Sequence, residues 1–231
     1  MRHKTVFHWS GGKDSSIALF QMLRQDTYSI ERLLTTVDKN SSRIAMHGVR
    51  QELLQQQAQR IGIPLTILEM PSKPDMETYN RLMQKQMLAF REEGFTHTAF
   101  GDIFLEDLKL YRQNEMKKAG FESIFPLWKG DTQQLASQFL KDGFKAITVC
   151  VDSAVLDRKF TGRKLNQLFF DDLPAGTDPC GENGEFHTFV YNGPIFSKEV
   201  LYIKGEVSHK VTTGPDSAEM GFWYCDLLPG S

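Results

Sequence analysis

Two short stretches hold the residue types that chemistry needs. The first is Ser10-Gly11-Gly12-Lys13-Asp14-Ser15, set at the end of an apolar run from Thr5 to Trp9. Beyond it, Ala18 with Met22 and Leu19 with Leu23 stand four apart, the spacing of one helix face. A strand therefore ends where a helix begins, and glycines fill the turn. A helix start presents unpaired backbone N–H groups and the positive end of the helix dipole. Glycines let an anion approach those groups and Lys13 adds a full charge, so the stretch reads as a phosphate cradle. It is not the Walker pattern: Phe7 stands where the first glycine is needed, and Asp14 follows Gly12-Lys13. No Gly-x-Gly-x-x-Gly dinucleotide fingerprint occurs either.

The second stretch is Asp178-Pro179-Cys180-Gly181-Glu182-Asn183-Gly184-Glu185-Phe186-His187-Thr188. Its glycines permit tight turns, and Glu182, Glu185 and His187 project within a few residues of one another. Such groups serve as acid, base or metal ligand. Forming an amide requires a base that strips a proton from ammonium or an amine, and Glu185 or His187 could do so if partly buried. From the residues alone, a hairpin turn with solvated glutamates remains an equal alternative. A third candidate is His47-Gly48-Val49-Arg50, where His47 or Arg50 could reach a phosphate or the acceptor, or simply start a helix. Arg112 could face a phosphate from its helix but reads better as a solvated position, and His3, His8, His97 and His209 read as structural.

Strands and helices alternate around the first stretch. Arg32 to Val37, Pro64 to Met70, His97 to Phe100 and Ser123 to Leu127 read as further strands. Between them, Val49, Leu53, Leu54, Ala58 and Ile61 mark one helix, Met76, Tyr79, Leu82, Met83, Met87 and Phe90 a second, and Leu105, Leu108, Met116 and Ala119 a third. That alternation predicts a parallel sheet with helices on both faces. Ligands bind such sheets at the carboxyl ends of strands. The expected nucleotide residues are thus Ser10 to Ser15 after strand one, Val37 and Asp38 after strand two, and Gly101 and Asp102 after strand four. Val37 falls where adenine would lie, and Asp102 could touch ribose or help hold magnesium, or serve as a turn or helix-cap aspartate. Pro126 to Asp131 reads as a link. A helix at Leu135, Phe139 and Leu140, a strand at Ala146 to Val151 and mostly β signals from Phe186 follow. In the last part Leu201, Ile203, Val207 and Val211 alternate at period two.

The first stretch resembles the Ser-Gly-Gly-x-Asp-Ser signature of the PP-loop, or N-type ATP pyrophosphatase, superfamily. With Gly-Glu-x-Gly-Glu-Phe-His-Thr and the following Gly193-Pro194-Ile195-Phe196, the chain resembles the diphthine–ammonia ligase family from Val6 to Phe196. It is closer to that family's shorter relatives, many of them bacterial. The resemblance implies an α/β fold with a doubly wound, five-stranded parallel sheet (HUP-like, adenine nucleotide alpha hydrolase-like) over residues 1–128. A smaller α+β acceptor domain would occupy residues 129–231. It implies ATP-dependent amidation of a carboxylate, releasing AMP and pyrophosphate. Ser10, Gly11, Gly12, Lys13, Asp14 and Ser15 would hold ATP, with Mg2+ on its phosphates near Asp14 or Asp102. Glu182, Glu185 and His187 would line the acceptor side, and ammonia or an amine would supply nitrogen. The chain departs from the ligases at Gly101-Asp102-Ile103, where they commonly show Gly-Ala-Ile, and at Asp107-Leu108-Lys109-Leu110-Tyr111, where they show Tyr-Gln-x-x-Arg. The activation chemistry therefore transfers better than the acceptor.

Composition narrows the alternatives. A net charge of −2 gives no broad nucleic-acid footprint. Cys150, Cys180 and Cys225 are far apart, which argues against a disulfide framework, a structural zinc and a cysteine-dependent tRNA thiolase. No stretch is apolar enough to span a membrane and the start leads straight into a core strand, so a cytoplasmic protein is expected. A homo-oligomer remains open. A nucleotide sensor without chemistry is the main competing reading, and the glutamates of the second stretch argue against it.

Overall fold

The computed structural model describes residues 2–44, 47–213 and 219–230. Strands β1 (His3–His8), β2 (Tyr28–Asp38), β3 (Leu65–Met70), β4 (His97–Ala99) and β5 (Glu122–Ile124) form one all-parallel sheet in the order β3-β2-β1-β4-β5. The order reverses between β1 and β4, which creates a crevice at their carboxyl ends. Neighbouring residues on a strand point to opposite faces, and the core divides accordingly. Phe7 and Leu33 pack with Ile17, Leu19 and Met22 of α1 (Lys13–Leu23) and with Leu53 and Leu54 of α2 (Gln51–Ile61). Val6 and Leu34 pack on the other face with Met83, Met87 and Phe90 of α3 (Met76–Glu92) and Met116 of α4 (Glu106–Lys118).

The remaining elements are α5 (Thr132–Lys141), β6 (Lys145–Asp152), α6 (Gln167–Asp171), β7 (Phe186–Asn192), β8 (Tyr202–Thr213) and β9 (Glu219–Pro229). The four strands pair antiparallel in the order β7-β6-β9-β8. Of the residues alternating at period two, Ile203 and Val211 of β8 are 56% and 57% exposed and Leu201, just before that strand, is 51% exposed, while Val207 packs against the core. Alternation identified the strand but not which of its faces is covered.

The two sheets share one apolar cluster, which runs from Phe7 and Leu54 through Phe139 and Phe144 to Ile147 and Phe189. They also meet through backbone: the Val190 amide on β7 donates to the Gly11 carbonyl at 2.9 Å. Helix α2 supplies the third contact. Gln57 is fully buried on its apolar face. It donates to the carbonyls of Gly11 (3.0 Å) and Val190 (2.6 Å) and accepts from the Trp9 indole N–H at 2.9 Å.

Candidate active site between the two sheets

A cavity of about 960 Å³ opens at the carboxyl ends of β1, β2 and β4. Ser10, Gly12, Asp14 and Ser15 line it from the loop after β1, and Gly101 and Asp102 from the end of β4. Glu182, His187 and Thr188 enter from the second stretch. Two separate sequence signals therefore converge on one space. Helices α3 and α5 begin with capping aspartates, Asp75 and Asp131, but α1 begins at Gly12, which has no side chain for this purpose. Gly101 lies so close to that helix start that a Cβ there would stand 3.0 Å from the Ser15 nitrogen.

The second stretch grips the first. Thr188 Oγ1 accepts from the Lys13 amide at 3.0 Å. The Lys13 ammonium is 1% exposed, is bonded to Asp14 Oδ1, and donates to the Cys180 carbonyl at 2.9 Å. Burial alone would lower its pKa, but the charge of Asp14, with help from Cys180 and Glu182, raises it instead. Lys13 thus ties the two stretches together and does not itself line the cavity.

The second loop is closed by its own hydrogen bonds. Asp178 Oδ1 accepts from the Cys180 amide at 2.8 Å. Glu185 is buried and accepts from the amides of Asp178 and Asn183, both at 3.0 Å, and from Asn183 Nδ2 at 3.1 Å. Gly181 adopts φ +69°, and a Cβ there would meet the Phe186 carbonyl at 2.6 Å, so only glycine fits. Glu185 was expected on the acceptor side as a base. The carboxylate is instead committed to bracing the loop, and it does not line the cavity.

Glu182 has the opposite environment. Its Oε2 is buried without a partner among the described residues. Burial, then the charges of Asp14 and Asp102, push its pKa up to about 7, against an opposing pull from Lys13. The imidazole of His187 is driven down to about 4 by burial, with Asp14 partly compensating, so it is neutral at physiological pH. It stacks on His47, with ring centroids 4.3 Å apart and planes at 16°. Burial and then His187 hold His47 well below the ordinary histidine value. The segment that brings His47 there is fastened to β9. Asp226 accepts from Arg43 at 2.7 Å and from both Nη2 (2.7 Å) and Nε (3.1 Å) of Arg50.

Asp102 pairs with Arg112 at 2.9 Å, so Arg112 is a site residue and not a solvated one. Burial outweighs that partner, and with the nearby charge of Asp14 it raises the Asp102 pKa. Crowded carboxylates of this kind suit a magnesium ion that arrives with substrate phosphates, since Mg2+ needs only one or two protein carboxylates. Among the described residues, no preformed cluster of three or more His, Cys, Asp or Glu ligands exists.

Residues 3–123 match the diphthamide synthase N-terminal domain, and residues 131–217 match the diphthamide synthase C-terminal domain. The chain belongs to the diphthamide synthase family. Three relatives are each described as a diphthine–ammonia ligase. The Schizosaccharomyces pombe protein is 31% identical over 99 residues, 41% of this chain and 16% of that protein. The Bos taurus protein is 27% identical over 125 residues, 52% of this chain and 47% of its own length. The Homo sapiens protein is 23% identical over 151 residues, 63% and 57% respectively. The chain thus spans about half the length of the mammalian relatives it matches. Among solved structures, the U34-tRNA thiolase NcsA from Methanococcus maripaludis, with its [4Fe-4S] cluster, aligns at TM-score 0.39 and 14% identity, over 60% of this chain and 58% of that one.

In this diphthamide synthase family member, five of the expected nucleotide and acceptor residues lie off the cavity: Gly11, Lys13, Val37, Asp38 and Glu185. Val37 is 1% exposed, and β2 offers Leu34, Thr35 and Thr36 instead. Asp38 is occupied in a turn, accepting from the amides of Asn40 and Ser41. Residues unmarked by either motif also line the space, among them His8, Tyr79, Tyr111 and Arg112. His8 was expected to be structural, yet its Nε2 is buried and has no partner among the described residues. Burial, then Arg112, lowers its pKa to about 3. The signal for Gln57 was present: it is the polar residue among Leu53, Leu54, Ala58 and Ile61 on the apolar face of α2.

Proposed function

We propose that this chain is an ATP-dependent ligase that activates a carboxylate as its adenylate and converts it to an amide. Residues 1–128 would bind the nucleotide, and residues 129–231 would bring the groups that act on the acceptor. The observation that carries the reading is Glu182. It is a carboxylate poised near neutrality, with one free oxygen, in the same cavity as the phosphate loop. Maintaining such a group costs stability, and a binding-only sensor has no use for it. A general base works best when its pKa lies near the operating pH.

The reaction divides into two steps. The acceptor carboxylate attacks the α-phosphorus of ATP, the bond to the β-phosphate breaks, and pyrophosphate leaves. Backbone N–H groups at the start of α1, with Ser10 and Ser15, would hold the phosphates. Asp14 and Asp102 would hold Mg2+, which supplies neutralisation of phosphate charge. Ammonium then gives one proton to Glu182, the freed lone pair attacks the acyl carbon, and AMP is expelled as its phosphate takes the second proton from the nitrogen. His187 stays neutral and acts as a hydrogen-bond partner, since an imidazole with a pKa near 4 is a weak base at neutral pH.

The relatives' description supports diphthine as the first acceptor to test. The protein is incubated with Mg-ATP, 15N-ammonium and a diphthine-bearing elongation factor, with nucleotides followed by 31P NMR and the acceptor by mass spectrometry. AMP and pyrophosphate in equal amounts, with 15N in the acceptor, are expected. Formation of ADP and phosphate, or AMP release without amide, would overturn the reading.

A further inference from the structure

We propose that His47, His187 and Glu182 together form the seat for the nitrogen donor, which enters as ammonium. The proposal rests on the ligase reading above. Three of the buried side-chain polar atoms without a partner among the described residues are His47 Nδ1, His187 Nε2 and Glu182 Oε2. All three residues line the same cavity. A buried acceptor left unpaired is costly, and such atoms in a native fold call for a ligand or a role.

The arrangement is built from three parts of the chain. His47 comes from the segment between β2 and α2, His187 from β7, and Glu182 from the loop before β7. The stacked rings, 4.3 Å apart, require that the His47 segment be held against β7. The Arg43–Asp226–Arg50 cluster does this from β9. Arg43 also donates to the Gly48 carbonyl at 2.7 Å, which fixes the turn beside His47.

The chemistry of the three atoms selects the ligand. A neutral imidazole offers one lone pair, and a carboxylate offers lone pairs and negative charge. With these two ring nitrogens unprotonated, phosphate or carboxylate ligands find no donor in this set and meet the charge of Glu182. Ammonium is all donor and carries one positive charge, so it matches two imidazole nitrogens and one carboxylate oxygen. Asp14 and Asp102 add negative charge nearby, while Lys13 and Arg112 are already paired with them. When Glu182 takes one proton, ammonia keeps its contacts to the two rings. The proposal fixes the tautomers: the proton sits on Nε2 of His47 and on Nδ1 of His187.

The test uses protein with 15N-labelled histidine, without ATP or acceptor, titrated with ammonium chloride and, separately, with potassium chloride at the same ionic strength. Saturable ring-nitrogen shifts at His47 and His187 are expected with ammonium and not with potassium. His47→Phe keeps an aromatic ring in the stack but removes the lone pair. It should weaken ammonium binding by about tenfold or more, the loss of one charge-assisted contact, while Mg-ATP affinity is retained. Equal shifts with potassium, no shift with ammonium, or unchanged ammonium affinity in His47→Phe would overturn the proposal. If AMP and pyrophosphate form while the rings ignore ammonium, the seat is wrong and the ligase reading stands. If ammonium binds the rings while ADP is the product, the reverse holds.

Discussion

Replacing Gln57 by Leu should separate the two halves of the site while leaving the volume of the α2 face nearly unchanged. The side chain makes three buried hydrogen bonds, to Trp9 Nε1, Gly11 O and Val190 O. Leu makes none of them. The Gly11 carbonyl keeps a second donor, the Val190 amide, but the Trp9 indole N–H is left without its acceptor. A stranded buried donor costs about 1–3 kcal/mol, and each of the other two lost bonds about 1 kcal/mol. The sum is about 3–5 kcal/mol, a large share of the roughly 5–15 kcal/mol by which domains are stable. Cavity terms should add little, since the two side chains are close in size. Urea unfolding reads the change directly. Nucleotide titration reads its consequence, because Gly11 belongs to the phosphate loop and Val190 lies two residues beyond Thr188, which holds the Lys13 amide. An unfolding free energy within about 0.5 kcal/mol of wild type, which is the range of neutral surface changes, would refute the keystone role.

Three further outcomes are expected. Glu182 in the folded protein holds its proton from the ordinary value of 4.5 up to about 7, so its contribution to stability is lost as pH rises through that window. Glu182→Gln should therefore be more stable than wild type at pH 8, with the difference vanishing below pH 4.5, while amide formation falls by about a hundred-fold or more. For Asp226, burial is outweighed by hydrogen bonds from Arg50 and Arg43, so its pKa is depressed and its stabilisation is present above 3.8 and lost in acid. Asp226→Ala should cost about 1–2 kcal/mol at pH 7, after allowance for partial exposure, and thermal melts across pH should show the cost fading only well below pH 3.8. Gly101→Ala places a Cβ 3.0 Å from the Ser15 nitrogen, and should weaken Mg-ATP binding in calorimetry with little loss of fold; removing magnesium with a chelator should weaken it in wild type as well.

The sheet was readable because its signals are local. Apolar runs such as Thr5 to Trp9, followed by four-residue spacing from Ala18, define strand and helix within one window. The parallel sheet follows from that alternation, and Ser10, Gly12, Asp14, Ser15, Gly101 and Asp102 line the cavity at its strand ends. Roles that depend on distant partners were hidden. Lys13 looked like a phosphate ligand because its neighbours are glycines, but the Cys180 carbonyl that captures it lies 167 residues away. Glu182 and Glu185 are equivalent in sequence. Hydrogen bonds from Asp178 and Asn183 consume one, and Asp14 and Asp102 raise the pKa of the other. The His47–His187 stack depends on Asp226, which no motif connects with either ring.

The central claim is that one cavity holds the ATP phosphates against the start of α1 with Glu182 beside the α-phosphate. A crystal structure of the complex with Mg2+ and α,β-methylene-ATP tests this directly, since that analogue cannot release pyrophosphate. The expected result is a triphosphate over Gly12 and Ser15, with the metal at Asp14 or Asp102 and Glu182 on the α-phosphate side. A nucleotide bound elsewhere, or one seated here with its γ-phosphate and not its α-phosphate facing Glu182, would contradict it.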